Sequence, residues 1–409
     1  MRSLNSANGL PIIHFHSMKK PKIGLLPRII IAIILGVVCG LFFPEWGVRL
    51  FVTFNSVFSH FLSFLIPLII VGLVTPAIAD IGKGAGKLLL ITALIAYGDT
   101  VLSGYFSYSV STGIFPSLID RGHAAQAIST VEELQPFFTI EIPPLLDVMS
   151  ALISAFVLGL GISFFESPNL KKVFDEFREI IAKTIEVALI PILPLYIFGI
   201  FVNMSFTGQA WRIINVFVAI IGVIFAMHIF LLVFQYCIAG AITHRNPFRA
   251  LYNMLPAYFT ALGTSSSAAT IPVTLKQTKL NGVSDGIAGF VVPLCATIHL
   301  SGSAMKITAC AVALMLMQGL SIDVGHITGF ILMLGVMMVA APGVPGGAIM
   351  AALGVLQSIL GFTAEQQALM IALYITMDSF GTACNVTGDG AIALVVDRIY
   401  SGRKQPANG

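Results

Sequence analysis

The run Met377-Asp-Ser-Phe-Gly-Thr-Ala-Cys-Asn-Val-Thr-Gly-Asp389 decides how this sequence is read. It lies inside the last apolar stretch, Ala368 to Val396, and sets two carboxylates and an amide among Ile, Leu, Val and Ala. At about 100° per residue, Thr382, Asn385 and Asp389 fall within roughly 40° of Asp378, and Gly381 lies roughly 60° away on the same side. The result is one polar stripe on an apolar helix. Ionisable groups in a bilayer are costly and face a protein interior or a watery cavity, so such a stripe marks a functional site. The bland alternative, polar side chains that hold one helix to another, needs fewer charges than are present.

Composition agrees. Of 409 residues, 57% are hydrophobic and 10% charged, with a mean hydropathy of +0.94. A soluble domain carries about 25% charged residues, so the chain reads as an integral membrane protein. A net charge of +3 says little about partners, and no nucleic-acid partner is expected. The five cysteines (Cys39, Cys237, Cys295, Cys310, Cys384) are odd in number and lie in apolar stretches, which fits packing thiols rather than a disulfide framework. Residues 1–22 are polar and carry Lys19, Lys20 and Lys22, with no signal-peptide core or cleavage site, so they read as a cytoplasmic tail. Gly82-Lys-Gly-Ala-Gly-Lys87 has the wrong spacing for a phosphate loop and reads as a turn.

Stretches of about 20 apolar residues are the unit of a spanning helix. They occur near 24–44, 50–78, 86–113, 143–165, 179–204 and 211–241. The pattern then changes. Residues 246–280 are broken by Gly263-Thr-Ser-Ser-Ser267, 286–318 by His299-Leu-Ser-Gly302, and 326–360 by Ala341-Pro-Gly-Val-Pro-Gly-Gly347, before the final span 366–396. Backbone at membrane depth leaves the helix only where protein or a cavity receives it. Segments 246–280 and 326–360 therefore read as re-entrant hairpins whose tips meet the polar stripe, a pattern that points to a transporter's binding site.

Charge distribution supports the hairpins. With eight spanning helices and both termini inside, all of the 22 Lys and Arg residues except Arg49, Arg121, Arg212 and Lys306 fall in cytoplasmic tails and loops, as the positive-inside rule requires. A full span at 246–280 would put Lys276 and Lys279 outside. The polar stretch 114–142, with Asp120, Glu132, Glu133 and Glu141, reads as an external loop. The expected division is a cytoplasmic tail at 1–23, six spanning helices at 24–241, a transport core of two hairpins and two helices at 242–397, and a cytoplasmic tail at 398–409.

Three motifs carry a family resemblance: Ala261-Leu-Gly-Thr-Ser-Ser-Ser-Ala-Ala-Thr-Ile-Pro272, Pro342-Gly-Val-Pro-Gly-Gly347 and Asn385-Val-Thr-Gly-Asp389. With the order of apolar segments, they make the chain, from about residue 24, resemble the dicarboxylate/amino acid:cation symporter family. The fold that the resemblance implies is an all-α integral membrane protein with eight transmembrane helices and two re-entrant helical hairpins, a glutamate-transporter-like elevator. It further implies a homotrimer in the cell (inner) membrane. The first, second, fourth and fifth helices would form a scaffold for the moving remainder.

Carried over by position, Asp378 would bind a substrate amino group and Asn385 its carboxylate. Ser265, Ser266 and Ser267 would supply the first tip, and Gly343, Val344 and Gly346 the second. Ser303, Lys306, Gly381 and Thr382 complete the candidate substrate site. The candidate cation ligands are Asp389 and Asn385, with Cys295 and His299. Charged carboxylate oxygens and open backbone carbonyls suit a hard cation, and half-helix N-termini suit an anionic substrate group.

The departures from the family pattern are informative. Its Asn-Met-Asp run in the seventh helix is here His299-Leu300-Ser301, and its third-helix hydroxyl pair aligns with Ile95 and Ala96, so one sodium site is expected to be missing. Histidine exchanges protons near neutral pH, which makes His299, with Asp99, a candidate for proton coupling. Where acidic-substrate members place an arginine, this chain has Gly381. Lys306, four residues after Gly302, needs an anionic partner in the membrane. That partner is either a second substrate carboxylate, or Asp99 or Asp389. In the second case Lys306 stands in for a coupling ion in a neutral amino acid carrier. The retained Asp378 favours an amino acid. His228, Glu186 and Asp147 read as satisfied or solvated.

The expected function is thus cation-coupled symport (Na+ and/or H+) of a small amino acid or dicarboxylate, and no enzyme activity or cofactor is expected. An intramembrane aspartyl protease would need a glycine where Val386 stands, and a channel would conduct without stoichiometric coupling.

Overall fold

The computed structural model describes residues 24–81, 86–119, 134–208, 210–341 and 345–401. Regular structure among them is helical, the form in which an isolated segment satisfies its own backbone groups in lipid. The helices are α1 Leu25–Gly40, α2 Glu45–Ile81, α3 Lys87–Leu118, α4 Val148–Phe164, α5 Pro168–Thr184, α6 Ile190–Phe206, α7 Ala210–Thr243, α8 Pro247–Thr264, α9 Ser267–Leu280, α10 Asp285–Ile298, α11 Ser301–Met317, α12 Val324–Ala340, α13 Gly347–Leu360, α14 Ala364–Thr376 and α15 Asp378–Ser401. A π turn, Ile185–Leu189, joins α5 to α6.

Among the described residues, five continuous helical stretches are long and apolar enough to cross a membrane: Glu45–Asp80, Lys87–Leu118, Pro168–Phe206, Ile214–Thr243 and Asp285–Met317. The bent pair α14 and α15 makes a sixth. At 16 and 17 residues, α1 and α4 measure about 24–26 Å, less than the ~30 Å hydrocarbon core. Outward-facing Ile34, Leu94, Leu102, Ile153, Val157 and Val218 are exposed, as expected of an apolar surface. Cys237 is exposed as well, so it is not a buried packing thiol.

Two packing groups emerge. In one, α1 lies on α6, and α2 on α4, α5 and α6. The first pair is close because α1 presents glycine: a Cβ at Gly40 would collide with the Val202 carbonyl oxygen, and one at Gly36 would stand 2.8 Å from that of Phe198. In the other group α15 is the hub, packed by α7, α8, α9, α10 and α11, with α3 against α11 and α12. The arms α12 and α13 lie between the groups, both on α2, while α14 touches α1 and α6.

Both hairpins have local causes. Helix α8 ends where Ser265 turns left-handed at φ 50°, and the Ser266 hydroxyl at once caps α9 by accepting the Ala269 amide at 3.3 Å. The arms are tied at their far ends, where Asn281 donates to the Ala250 carbonyl at 2.9 Å and accepts from Asn253 at 2.8 Å. In the second hairpin α12 ends at Ala340, Gly346 enters α13 at φ 76°, and the two arms pack together. Glu186 pairs with Lys183 at 2.8 Å and Asp147 caps α4, as read from sequence.

Candidate functional site

Helices α14 and α15 meet at an angle of 63°, and the bend places Asp378 on the first turn of α15. A carboxylate there is favoured by the helix dipole. Both of its oxygens are engaged. Oδ1 accepts from Lys306 Nζ at 3.1 Å, and Oδ2 from the Gly346 amide of the second tip at 2.9 Å. Lys306 is wholly buried, with its ammonium 3.5 Å from the centroid of the Tyr374 ring and 3.4 Å from the Met377 carbonyl oxygen. Gly381 makes the room: a Cβ there would stand 2.7 Å from Nζ and 2.9 Å from Cε. The lysine's partner is therefore Asp378, neither Asp99 nor Asp389.

Asp378 also borders a chamber of about 30 Å3, lined among the described residues by Ser265, Ser267 and Thr382, by Ala296, Thr297 and Leu300 at the α10–α11 break, and by Ala341, Ala348 and Tyr374. Such a space suits about one water. The first tip closes onto α15 through Ser265 and Ser379, whose hydroxyls are 2.7 Å apart. Thr297 and Ala341 also line a larger cavity of about 490 Å3, which reaches Asp80, Arg178 and Glu179 at the charged ends of α2 and α5. The two spaces are thus neighbours, and the larger one extends to the charged helix ends.

Asn385 faces the broken helix rather than the chamber. Its Oδ1 accepts the Gly302 and Ser303 amides at 2.8 and 3.3 Å, and its Nδ2 donates to Ser303 Oγ at 3.1 Å. Ser303 in turn lies 3.1 Å from the Tyr374 hydroxyl. A free helix start inside a membrane needs such acceptors. His228 Nε2 lies 3.1 Å from the Gly302 carbonyl oxygen, which makes it a core histidine of the same break.

One turn deeper, His299 bridges two acids: Nδ1 lies 2.9 Å from Asp389 Oδ1, and Nε2 lies 2.8 Å from Asp99 Oδ2. Gln235 donates to the same Asp99 oxygen at 2.6 Å and to Ser301 Oγ at 3.1 Å. Asp389 Oδ2 is buried without a hydrogen-bond partner among the described residues. Asp99 and Gln235 border a cavity of about 270 Å3 between α3, α7 and α15. The third-helix residue that reaches His299 is therefore Asp99. Ala96, by contrast, packs with Ile298, and Ile95 lines the cavity beside Asp99.

Of the residues expected at a substrate site, Ser265, Ser267, Asp378 and Thr382 share the chamber. Ser266 is spent as a helix cap, and Lys306, Gly381, Ser303 and Asn385 form a layer behind it. Gly346 meets Asp378 through its backbone, while Gly343 and Val344 lie outside the described residues. Of the expected cation ligands, Asp389 and His299 touch, but Cys295 contributes its backbone carbonyl to the His299 amide within the chain's own helix. Among the described residues no three His, Cys, Asp or Glu side chains group as a metal-ligand set.

Sequence reasoning passed over Tyr374, Thr297, Ser379 and Gln235. Two of them carried a signal. Tyr374 stands four residues before Asp378, and Gln235 is an amide inside an apolar span.

Residues 25–399 match the sodium:dicarboxylate symporter family. The serine/threonine transporter SstT of Acinetobacter baylyi is 26% identical over 393 residues, covering 92% of this chain and 98% of that protein. A serine/threonine transporter SstT of Acinetobacter baumannii is 27% identical over 392 residues, covering 92% of this chain and 97% of its own. Excitatory amino acid transporter 4 of Mus musculus is 34% identical over 159 residues, 39% of this chain and 28% of its own. A match of this extent makes the chain an integral membrane transporter rather than an enzyme, and it belongs to the sodium:dicarboxylate symporter family.

Proposed function

We propose that this protein is a secondary active symporter that moves a small amino acid or dicarboxylate with a coupling cation. It works as an elevator, with eight spanning helices and two re-entrant hairpins per protomer, in a homotrimer whose termini face the cytoplasm. The observation that carries this reading is the meeting of two helix tips and two helix breaks at one small polar chamber, beside a much larger cavity that extends to the charged ends of two helices. A carrier needs such a chamber between a gate and a barrier; a channel needs a continuous path. The names of the relatives, transporters of serine and threonine and of excitatory amino acids, support the same solute class.

A second reading concerns the ion. Where the family resemblance places half of a sodium site, His299 spans Asp389 and Asp99. A charged imidazole donates from both nitrogens, while a neutral one donates from only one. That bridge favours the proton as a coupling ion beside sodium or in its place. Uptake and counterflow in proteoliposomes test the whole. Labelled solute should accumulate only under an inward sodium or proton gradient and should exchange against unlabelled solute. Solute flux that ignores both gradients and shows no counterflow would refute the symporter.

A further inference from the structure

We propose that Lys306 is a tethered ammonium that fills the carboxylate of Asp378, so the solute of this transporter is a small carboxylate without an α-amino group. This rests on the transport reading above and narrows its substrate class. Asp378 is the only acid bordering the chamber among the described residues, and so the only anionic side chain there that could serve as counter-ion to a solute's ammonium. Both of its oxygens are already hydrogen-bonded, and its charge already has a counter-ion. Oδ1 is held by Lys306 and Oδ2 by the Gly346 amide. A tethered partner competes at high effective concentration against any ion arriving from solution.

The lysine is built in. Its ammonium lies on the Tyr374 ring face and beside the Met377 carbonyl, and its stem fills the space left by the missing side chain of Gly381. What the chamber offers a solute is hydroxyl around an acid already neutralised: Thr297 and Thr382 give their protons to the Leu294 and Asp378 carbonyls, which leaves Ser267, and Ser265 beside Ser379, to face a solute. Hydroxyls serve a carboxylate as donors. A solute ammonium would be desolvated there without a counter-ion, and sites that leave a buried polar group unpaired reject ligands steeply.

The test uses solute pairs that differ by the α-amino group alone: succinate with L-aspartate, and propionate with L-alanine. Counterflow by the purified full chain in proteoliposomes reads transport, and thermal shift in detergent reads binding. We expect the amino-free member of at least one pair to bind roughly 100-fold or more tightly than its partner. Wild-type protein that takes L-aspartate or L-alanine as well as succinate or propionate overturns the inference while leaving the transporter intact. Exchange of none of the four overturns both. Because the decisive comparison is made on wild type, it depends on no variant folding. A second arm uses Gly381→Ala, whose new Cβ displaces the ammonium from its slot. The amino-free preference should shrink at least about tenfold there, and an unchanged preference in a folded variant overturns the role of Lys306.

Discussion

The ammonium of Lys306 and the carboxylate of Asp378 are both taken from water, so each is tolerable only because of the other. Removing one partner of such a pair leaves an uncompensated buried charge, at a cost of about 3–5 kcal/mol. Lys306→Met is therefore expected to lower the melting temperature markedly. Lys306→Met with Asp378→Asn should recover much of the loss, because neither charge then remains. Thermal unfolding of the four proteins of this double-mutant cycle measures the coupling; a double variant no more stable than the single one would show that the pair is not the source. At this scale the sequence was legible in kind but not in pairing. A buried lysine must have an anion, and the missing side chain at Gly381 hinted at where its stem could go. Which of Asp99, Asp378 and Asp389 receives it depends on helix rotation and on the bend at Met377, neither of which residue spacing encodes.

Helix tips, by contrast, announce themselves, because clusters of proline, glycine and serine punctuate an apolar run wherever they fall in it. The helices Pro247–Thr264 and Ser267–Leu280 meet at a break that falls within the interruption at Gly263-Thr-Ser-Ser-Ser267. The run of α3 on to Leu118 was not legible because Pro116 reads as a break, and neither was the amphipathic α5 ahead of the fifth apolar run, because its polar face interrupts the apolar pattern. The second tip gives a testable element. Gly346 holds φ at 76° and aims its amide at Asp378, a conformation that costs an L-residue roughly 1–2 kcal/mol. Gly346→Ala should strain the tip, weaken its closure and raise the apparent KM for the solute more than it lowers expression. The KM from uptake kinetics checks this, and an unchanged KM in a stable Gly346→Ala protein would remove the tip from the binding event.

Across the whole molecule, the decisive question is whether α12 and α13 move past α2. The contact is tight: a Cβ at Gly354 on α13 would stand 2.7 Å from Ile70 Cδ1 and 3.1 Å from Ile66 Cγ2, both on α2, and 3.2 Å from Val148 on α4. Such a seam can slide because it is apolar and nearly free of polar commitments. The same property would let it hold as a fixed wall, so packing alone does not decide. A cross-link does. Cysteines at Gly354 and Ile70 would share one space, the Ile70→Cys change relieving the crowding that Gly354→Cys alone would create. Mercuric ion should join the pair, stop counterflow, and release it again when a thiol reductant is added. The wild-type protein, with its own five cysteines, serves as the control. If the tips alone opened and closed around a static core, the joined protein would keep exchanging solute. Counterflow that survives complete cross-linking would therefore rule out the elevator and leave the two tips as the moving parts.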